Sequence, residues 1–309
     1  MLRKTFSRSM SAFEMRRKLI SKFKEENVAE PDWSAEVIVA HSLQKEMYNH
    51  LTHKEVNSQL PKLTEDQINS LMCKRLNHEP LQYILGEWRF RQLCLLMRPP
   101  VFIPRPETED LVGFVLQELE DLKGQRVLEV GCGSGAISLS LAKESREKEH
   151  TFTAIDKNKA AVDLTIKNSY HNKIHQLIES NIFHLSVNTF LPETKLDGIV
   201  SNPPYIPTHQ MKVLDRDIID HESHLALDGG KDGLDVVREI LVFARKHLKV
   251  GGWIWLEVDD SHPGYLSKDL DGLQVGLFTE EELGESRFKV DRTEADLFDR
   301  PRFVKLVKV

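Results

Sequence analysis

Val127-Leu128-Glu129-Val130-Gly131-Cys132-Gly133-Ser134-Gly135 is an apolar run that breaks into a glycine-rich turn, and a helical pattern opens at about Ala136. Glycines in such a turn let backbone approach a ligand closely and adopt positive φ, while free N–H groups at the helix start face polar ligand atoms. Outward from this point strand and helix alternate. Thr151 to Ile155 reads as a strand, about Ala160 to Asn168 as a helix, Leu196 to Val200 as a strand, roughly Gly233 to Leu248 as a helix and Trp253 to Val258 as a strand. That alternation predicts an α/β fold, a Rossmann-like, mostly parallel sheet with helices on both faces. Two further candidate strands, near Phe288 to Val290 and Phe303 to Val309, flank the charged turn-like segment Asp296 to Arg302 and predict a C-terminal antiparallel hairpin.

The loop alone leaves the ligand open, because Gly131, Gly133 and Ala136 also satisfy the relaxed dinucleotide fingerprint, which a nicotinamide cofactor would use. Asp156 ends the next strand, where a carboxylate accepts hydrogen bonds from ribose hydroxyls. The competing reading is that Asp156 only caps the helix starting near Asn158.

The sharpest signal follows the strand Leu196 to Val200, where Ser201 and then Asn202-Pro203-Pro204-Tyr205 arrive at the carboxyl edge of the sheet, the ligand-binding edge of open α/β folds. Two prolines remove two backbone donors and fix φ, so the turn offers carbonyl acceptors beside the Asn202 side chain. This array suits a planar NH2 group. Asn202 Oδ1 and the Pro203 carbonyl can each accept one of its protons, which leaves the nitrogen facing a methyl donor, with Tyr205 packing on the planar group. Catalysis then rests on positioning and exclusion of water, and no general base is demanded. The plainer alternative is a structural proline turn at a strand end.

Toward the N-terminus the pattern is helical: Phe13, Leu19, Ile20 and Phe23, then Trp33, Val37, Ala40, Leu43 and Met47, then Ile68, Leu71, Met72 and Leu76, punctuated by Pro31 and Pro61. We expect a helical domain over 13–82, a hairpin linker over 83–104 and the α/β domain over 105–309. Residues 1–12 hold Arg3, Lys4, Arg8, Ser7, Ser9 and Ser11 with no acid before Glu14, the composition of an organelle transit peptide or of a frayed basic terminus; combined with a layout that carries its own N-terminal helical domain, the tail favours mitochondria over the cytoplasm.

At this point the chain resembles the HemK/PrmC glutamine N5-methyltransferases, which modify the Gly-Gly-Gln loop of peptide-chain release factors. The resemblance is carried by Glu79-Pro80-Leu81-Gln82-Tyr83-Ile84 with Gly86 and Phe90, by Ile103-Pro104-Arg105-Pro106-Glu107-Thr108-Glu109, by Glu129 to Gly135, by Ser201 to Ile206 and by Ala226-Leu227-Asp228-Gly229-Gly230-Lys231-Asp232-Gly233-Leu234. It implies a class I methyltransferase sheet and S-adenosylmethionine as cofactor. It further implies that Gly131, Cys132, Gly133, Ser134, Gly135, Asp156 and Asn202 contact the cofactor, and that Asn202, Pro203, Pro204 and Tyr205 hold a glutamine amide of a release factor, which the helical domain helps to hold. The family commonly has an acidic residue and then a bulky one against the adenine, where this chain has Asn181 and Ile182. It has a glycine where this chain has Asp259.

Asn-Pro-Pro-Tyr also occurs in adenine N6 methyltransferases, so the segment carries reaction type better than substrate. Against nucleic acid, except indirectly through the ribosome, stands a formal net charge of -6. A nucleotide-binding module without chemistry and a nicotinamide-dependent oxidoreductase are the remaining alternatives. No apolar run approaches the roughly 20 residues of a membrane span. Cys73, Cys94 and Cys132 form no CxxC pair and His221-Glu222-Ser223-His224 is not a zinc motif, so we expect no metal.

Overall fold

A computed structural model describes residues 9–178, 181–267 and 287–309, which fall into two units. The first comprises the described residues up to Gly86 together with Asp215–His221. It contains α1 (Ala12–Glu25), α2 (Pro31–Ser42), α3 (His53–Asn57), α4 (Lys62–Leu76) and α5 (Leu81–Leu85). Helix α1 starts where a reciprocal cap forms: Ser11 Oγ accepts from Glu14 N, and the Glu14 carboxylate accepts from Ser11 N at 2.8 Å. The Met10 carbonyl accepts from Leu60 N at 2.9 Å, so the chain belongs to this unit from Met10 onward. The basic tail read as a transit peptide lies, through residue 8, outside the described residues.

Met15, Leu19 and Phe23 of α1, Ile38 of α2 and Ile68 of α4 are fully buried and form the core of this unit. Phe13 and Trp33 share the same helical spacing but remain 44% and 40% exposed, because they stand at the rim of the apolar face. Pro31 is the first residue of α2, where a missing N–H costs nothing.

Sequence periodicity did not reveal that this unit is discontinuous. The Arg75 guanidinium, with its side chain only 4% exposed, donates to Ser34 Oγ, Glu79 O and Ala29 O and pairs with Asp217 at 2.7 Å. His78 Nδ1 lies 3.1 Å from the same carboxylate, and His221 Nε2 lies 3.1 Å from Asn77 O. A segment from far along the chain thus supplies the counter-charge that a buried guanidinium needs.

The second unit opens with the hairpin β1 (Glu87–Phe90) and β2 (Leu93–Leu96). This hairpin is shorter than the expected extended stretch from Tyr83. Tyr83 and Ile84 instead lie buried on α5, which Pro80 starts and Gly86 ends in the left-handed conformation. There follow α6 (Thr108–Leu119), β3 (Arg126–Val130), α7 (Ala136–Glu144), β4 (Thr151–Asp156), α8 (Lys159–His171), α9 (His175–Ile178), β5 (Ile182–His184) and β6 (Leu196–Ser201). After α10 (Arg216–Ile219), which belongs to the helical unit, come α11 (Asp235–His247), β7 (Leu248–Glu257), β8 (Phe288–Ala295) and β9 (Pro301–Lys308).

The sheet order is β5-β4-β3-β6-β7-β9-β8, with the first five strands parallel and β9 antiparallel to both of its neighbours. This is the predicted Rossmann-like sheet with its antiparallel C-terminal hairpin. The order reverses between β3 and β6, and the crevice beyond the carboxyl ends of those two strands is where open α/β sheets bind ligands. Val237, Ile240, Leu241 and Ala244 of α11 are fully buried with Ile254, Leu256, Val304 and Leu306, fixing one face of the sheet. Trp255 is fully buried and stacks on Phe114 at 5.2 Å.

Replacing Asp217 by alanine leaves the Arg75 guanidinium buried without its counter-charge. We expect a loss of about 3 kcal/mol from the helical unit, within the roughly 3 to 5 kcal/mol range for such breaks, measured as a lower denaturant midpoint. The double variant Asp217→Ala/Arg75→Met should lose less than the single one, and additive losses would show that the pair is not coupled.

Candidate active site

Strand β3 ends at Val130 and the chain turns through Gly131, Gly133 and Gly135, all at positive φ (78°, 55° and 84°). The glycines serve different ends. A Cβ at Gly135 would collide with Leu139 and Thr165, so this glycine lets α7 pack against α8. A Cβ at Gly131 or Gly133 would meet nothing within 4 Å, so packing does not demand those two, and the space over their backbone is open to a ligand. Gly135 offers no side chain to cap α7, and the Glu129 carboxylate takes that place, accepting from Ser138 N at 3.0 Å. Burial pushes its pKa up to about 8, against the hydrogen bonding from Ser138.

Asp156, at the end of β4, accepts from Gly133 N at 3.0 Å through Oδ2 and from Asn158 N at 2.8 Å through Oδ1. Asn158 rather than Asp156 caps α8, its side chain accepting from Ala160 N at 2.9 Å. Asp156 therefore ties the glycine loop to the next strand, and each of its oxygens keeps a lone pair for a further donor. Burial raises its pKa, opposed by the two backbone hydrogen bonds. Helix α8 holds the loop from behind: Thr165 Oγ1 donates to Gly133 O at 3.1 Å, and Asn168 Nδ2 donates to Ser134 O at 2.8 Å. Asn168 also bonds Leu96 N and O, and Asn172 bonds Cys94 N and O, so the two amides clasp β2 as a neighbouring strand would.

Beside this loop, Ser201 Oγ donates to Val130 O at 2.7 Å and fastens the end of β6 to the end of β3. The next residue, Asn202, is half-buried and donates from Nδ2 to Thr108 Oγ1 at 3.1 Å. Thr108 Oγ1 donates in turn to Glu257 Oε2 at 2.8 Å. Thr108 is 2% exposed and Glu257 is 1% exposed. Burial pushes the Glu257 pKa up to about 7, with Thr108, Arg302 and Asn202 pulling it down and Glu107 raising it.

Pro203 and Pro204 have no N–H to offer, so the backbone after them is held from its other side. Ile206 N donates to Leu227 O at 3.0 Å, Gly229 N to Ile206 O at 2.9 Å and Thr208 N to Gly230 O at 2.8 Å. A Cβ at Gly229 would strike the Pro204 carbonyl, and one at Gly233 the Tyr205 carbonyl, so the 226–234 segment needs its glycines for this approach.

Tyr205 Oη accepts from Arg302 Nη2 at 2.7 Å, and the same guanidinium lies 5.4 Å from the ring centroid. Burial, with the charge of Glu257, pushes the phenol up to about 12, so it stays protonated and is no base at neutral pH. Arg105, from the Pro-Arg-Pro-Glu-Thr-Glu stretch, pairs with the buried Glu222 carboxylate at 2.6 Å and lies over the Phe102 ring. Glu222 thus serves this ion pair rather than a metal motif.

Asn181 and Ile182 are not brought to the loop level. In the β4–β5 register Ile182 stands opposite Ala154, and His184 is the residue opposite Asp156. Two residues of strand, roughly 7 Å, separate Ile182 from the level of Asp156 at the carboxyl edge, and Asn181 lies one residue further back. Ile182 is also 7% exposed, its side chain spent on packing. Asp259, where a glycine was expected from the resemblance, accepts from Ser261 N and Oγ at 3.0 and 2.6 Å and caps the turn after β7. Among the described residues, Glu87, Cys94 and His171 bring potential metal-ligand atoms within 4.8 Å of one another, although Glu87 and His171 are exposed. None of them belongs to the crevice between β3 and β6.

The family model described as Methyltransferase small domain matches residues 110–231, and that described as PrmC N-terminal domain matches residues 14–86. The chain is 40% identical over 269 residues to a Homo sapiens protein named MTRF1L release factor glutamine methyltransferase, covering 83% of this chain and 78% of that protein. Proteins named release factor glutamine methyltransferase from Coxiella burnetii and Thermodesulfovibrio yellowstonii are 34% and 36% identical, over 74% and 81% of this chain and 78% and 85% of their own lengths. With the glycine loop, the Asn-Pro-Pro-Tyr edge and an N-terminal helical unit in one chain, these relationships establish that the protein belongs to the release factor glutamine methyltransferase family.

Proposed function

We propose that this chain transfers a methyl group from S-adenosylmethionine to the side-chain amide nitrogen (N5) of the glutamine in the Gly-Gly-Gln motif of a peptide-chain release factor. The observation that carries the reading is the fixed Asn202 side chain at the β6 edge, beside an open glycine loop, with Nδ2 already committed to Thr108. The side chain is left with Oδ1 as its acceptor. A glutamine NH2 group needs two acceptors in its own plane, and Asn202 Oδ1 with the Pro203 carbonyl supplies them.

The cofactor fits the residues present. Gly131 to Gly135 leave room over the backbone, Asp156 has lone pairs for ribose hydroxyls, and Asn202 stands after β6, on the other side of the loop from Asp156. When bound, S-adenosylmethionine supplies an electrophilic methyl carbon. Asn202 and Pro203 hold the two amide protons, so the nitrogen is presented in line with that carbon. Pro204 stiffens the turn, and Tyr205, pinned by Arg302, packs on the planar group. A neutral phenol and a committed asparagine leave positioning and water exclusion as the source of rate, together with acceptors already aligned on the N–H bonds. The resemblance points to Asn181 and Ile182 for the adenine, but the β4–β5 register sets both back from the carboxyl edge, so we do not assign the adenine to them.

We assign the helical domain to holding the release factor and, of the expected segment 1–12, the part ahead of Met10 to mitochondrial targeting, since Met10 to Ala12 belong to the helical unit. The first follows from family resemblance and the second from Arg3, Lys4 and Arg8 among serines in a tail free of acids. A fluorescent reporter carrying residues 1–30 should enter mitochondria, and a diffuse cytosolic signal would refute that assignment.

With labelled cofactor and recombinant release factor, label should appear in the factor and vanish when its target glutamine is replaced. Transfer to an adenine-containing oligonucleotide but not to the factor would make the chain an adenine N6 methyltransferase. Binding of NAD without binding of S-adenosylmethionine would make it an oxidoreductase or a nucleotide-binding module.

Asn202→Ala removes one aligned acceptor while leaving the glycine loop in place. Single-turnover methylation should fall about 30- to 1,000-fold, equivalent to about 2 to 4 kcal/mol, while cofactor affinity changes far less. If Asn202 were a general base, Asn202→Asp would exceed the alanine variant, with a rate rising through a carboxylate pKa. We expect it not to.

A further inference from the structure

We propose that Glu257 and Thr108 are positioning residues that set which end of the Asn202 amide faces the substrate. The inference rests on the reading of Asn202 as an acceptor for a substrate NH2 group, and it adds the reason Asn202 has that orientation. An asparagine amide is nearly symmetric in shape, so packing alone does not distinguish Oδ1 from Nδ2. Hydrogen-bond polarity does. An ionised carboxylate has acceptors only, so Glu257 obliges Thr108 to donate its single hydroxyl proton across the 2.8 Å contact. Thr108 Oγ1 then has only lone pairs left, and the neighbour at 3.1 Å must offer a donor, which on Asn202 is Nδ2. Oδ1 is thereby turned to the substrate, and a glutamine NH2 group finds an acceptor where a flipped amide would meet it with a second donor.

Protonation of Glu257 reverses this chain. A neutral carboxyl group can donate to Thr108 Oγ1, which frees the Thr108 proton for Asn202 Oδ1 and turns Nδ2 toward the substrate. The charged and polar groups facing Glu257 are Arg302 on β9, Glu107 just before α6, Thr108 on α6, and Asn202 and Tyr205 after β6. Their net effect, dominated by burial, leaves the carboxyl titrating at about 7. Turnover should therefore rise with pH through about 7 and flatten above it.

A role confined to stability predicts the opposite of what this carboxylate does. Its folded pKa lies above its ordinary 4.5, so its contribution to stability is complete below that value and is lost as pH rises through about 7. An ionised Glu257 thus opposes folding at the pH where the relay needs it ionised.

The test uses the full-length chain. Glu257→Gln resembles the protonated state, because its amide can donate to Thr108. We expect kcat about 10- to 100-fold below the wild-type plateau, no rise through pH 7, and a much smaller change in the KM for S-adenosylmethionine. Thr108→Val should behave alike and Thr108→Ser should retain the wild-type pH profile. The melting temperature of the wild type should fall relative to Glu257→Gln between pH 4.5 and 7 and stay level above. A readout that needs no substrate separates this inference from the assignment of the release factor. The Asn202 side-chain amide resonance, identified by its absence in Asn202→Asp, should shift with a midpoint near pH 7 in the wild type and not in Glu257→Gln. Wild-type turnover by Glu257→Gln, or an Asn202 resonance indifferent to pH, would overturn the proposal. Titration of that resonance in a protein that leaves release factors unlabelled would uphold the relay and refute only the substrate.

Discussion

Two adjacent prolines after a strand cannot continue a sheet, because neither has an N–H for the ladder. The chain after β6 therefore leaves the sheet at Asn202, and much of the second unit is arranged to hold it there. Ser201 fastens the strand end to Val130, the 227–230 backbone supplies the hydrogen bonds for Ile206 and Thr208, and Gly229 and Gly233 let that backbone approach the Pro204 and Tyr205 carbonyls. A donor-poor loop held from behind presents acceptors in front, which is what an amide substrate requires.

The same edge concentrates buried carboxylates. Glu129, Asp156 and Glu257 each lose hydration, and burial raises all three pKa values. None is a stabilising ion pair in the ordinary sense. Glu129 caps α7 because the ligand-facing turn ends in a glycine that cannot, Asp156 spans from β4 to the loop, and Glu257 sets a hydrogen-bond polarity. Their burial opposes folding, and the surrounding apolar packing of the sheet against α11 offsets it. Arg75 and Asp217 repeat the theme in the helical unit, where a buried cation is tolerated because a distant segment returns with its counter-ion.

Long-range partners of this kind are the part that sequence patterns do not carry. Alternation of strand and helix from Val127 onward was enough to predict a mostly parallel sheet, since period and glycine placement are local properties. The hairpin at the C-terminus followed from two apolar runs around a charged turn. The Tyr83 stretch was harder: five residues between Pro80 and Gly86 are too few to display a helical period, and their short helix reads as extended chain. The register that leaves Asn181 and Ile182 below the carboxyl edge is equally invisible in sequence, because a shift of two residues in a strand preserves its pattern.

By itself the sequence determined the class of fold, the glycine loop, Asp156 at a strand end and the Asn-Pro-Pro-Tyr edge, because each is written in neighbouring residues whose chemistry is local. The tertiary structure decided which groups stand behind them. Thr108 and Glu257 lie 149 residues apart, Thr108 and Asn202 lie 94 apart, and Tyr205 and Arg302 lie 97 apart. No local pattern marks a hydrogen bond closed over such separations; only the packing of α6, β6, β7 and β9 brings those atoms within reach and fixes the direction in which each proton is donated.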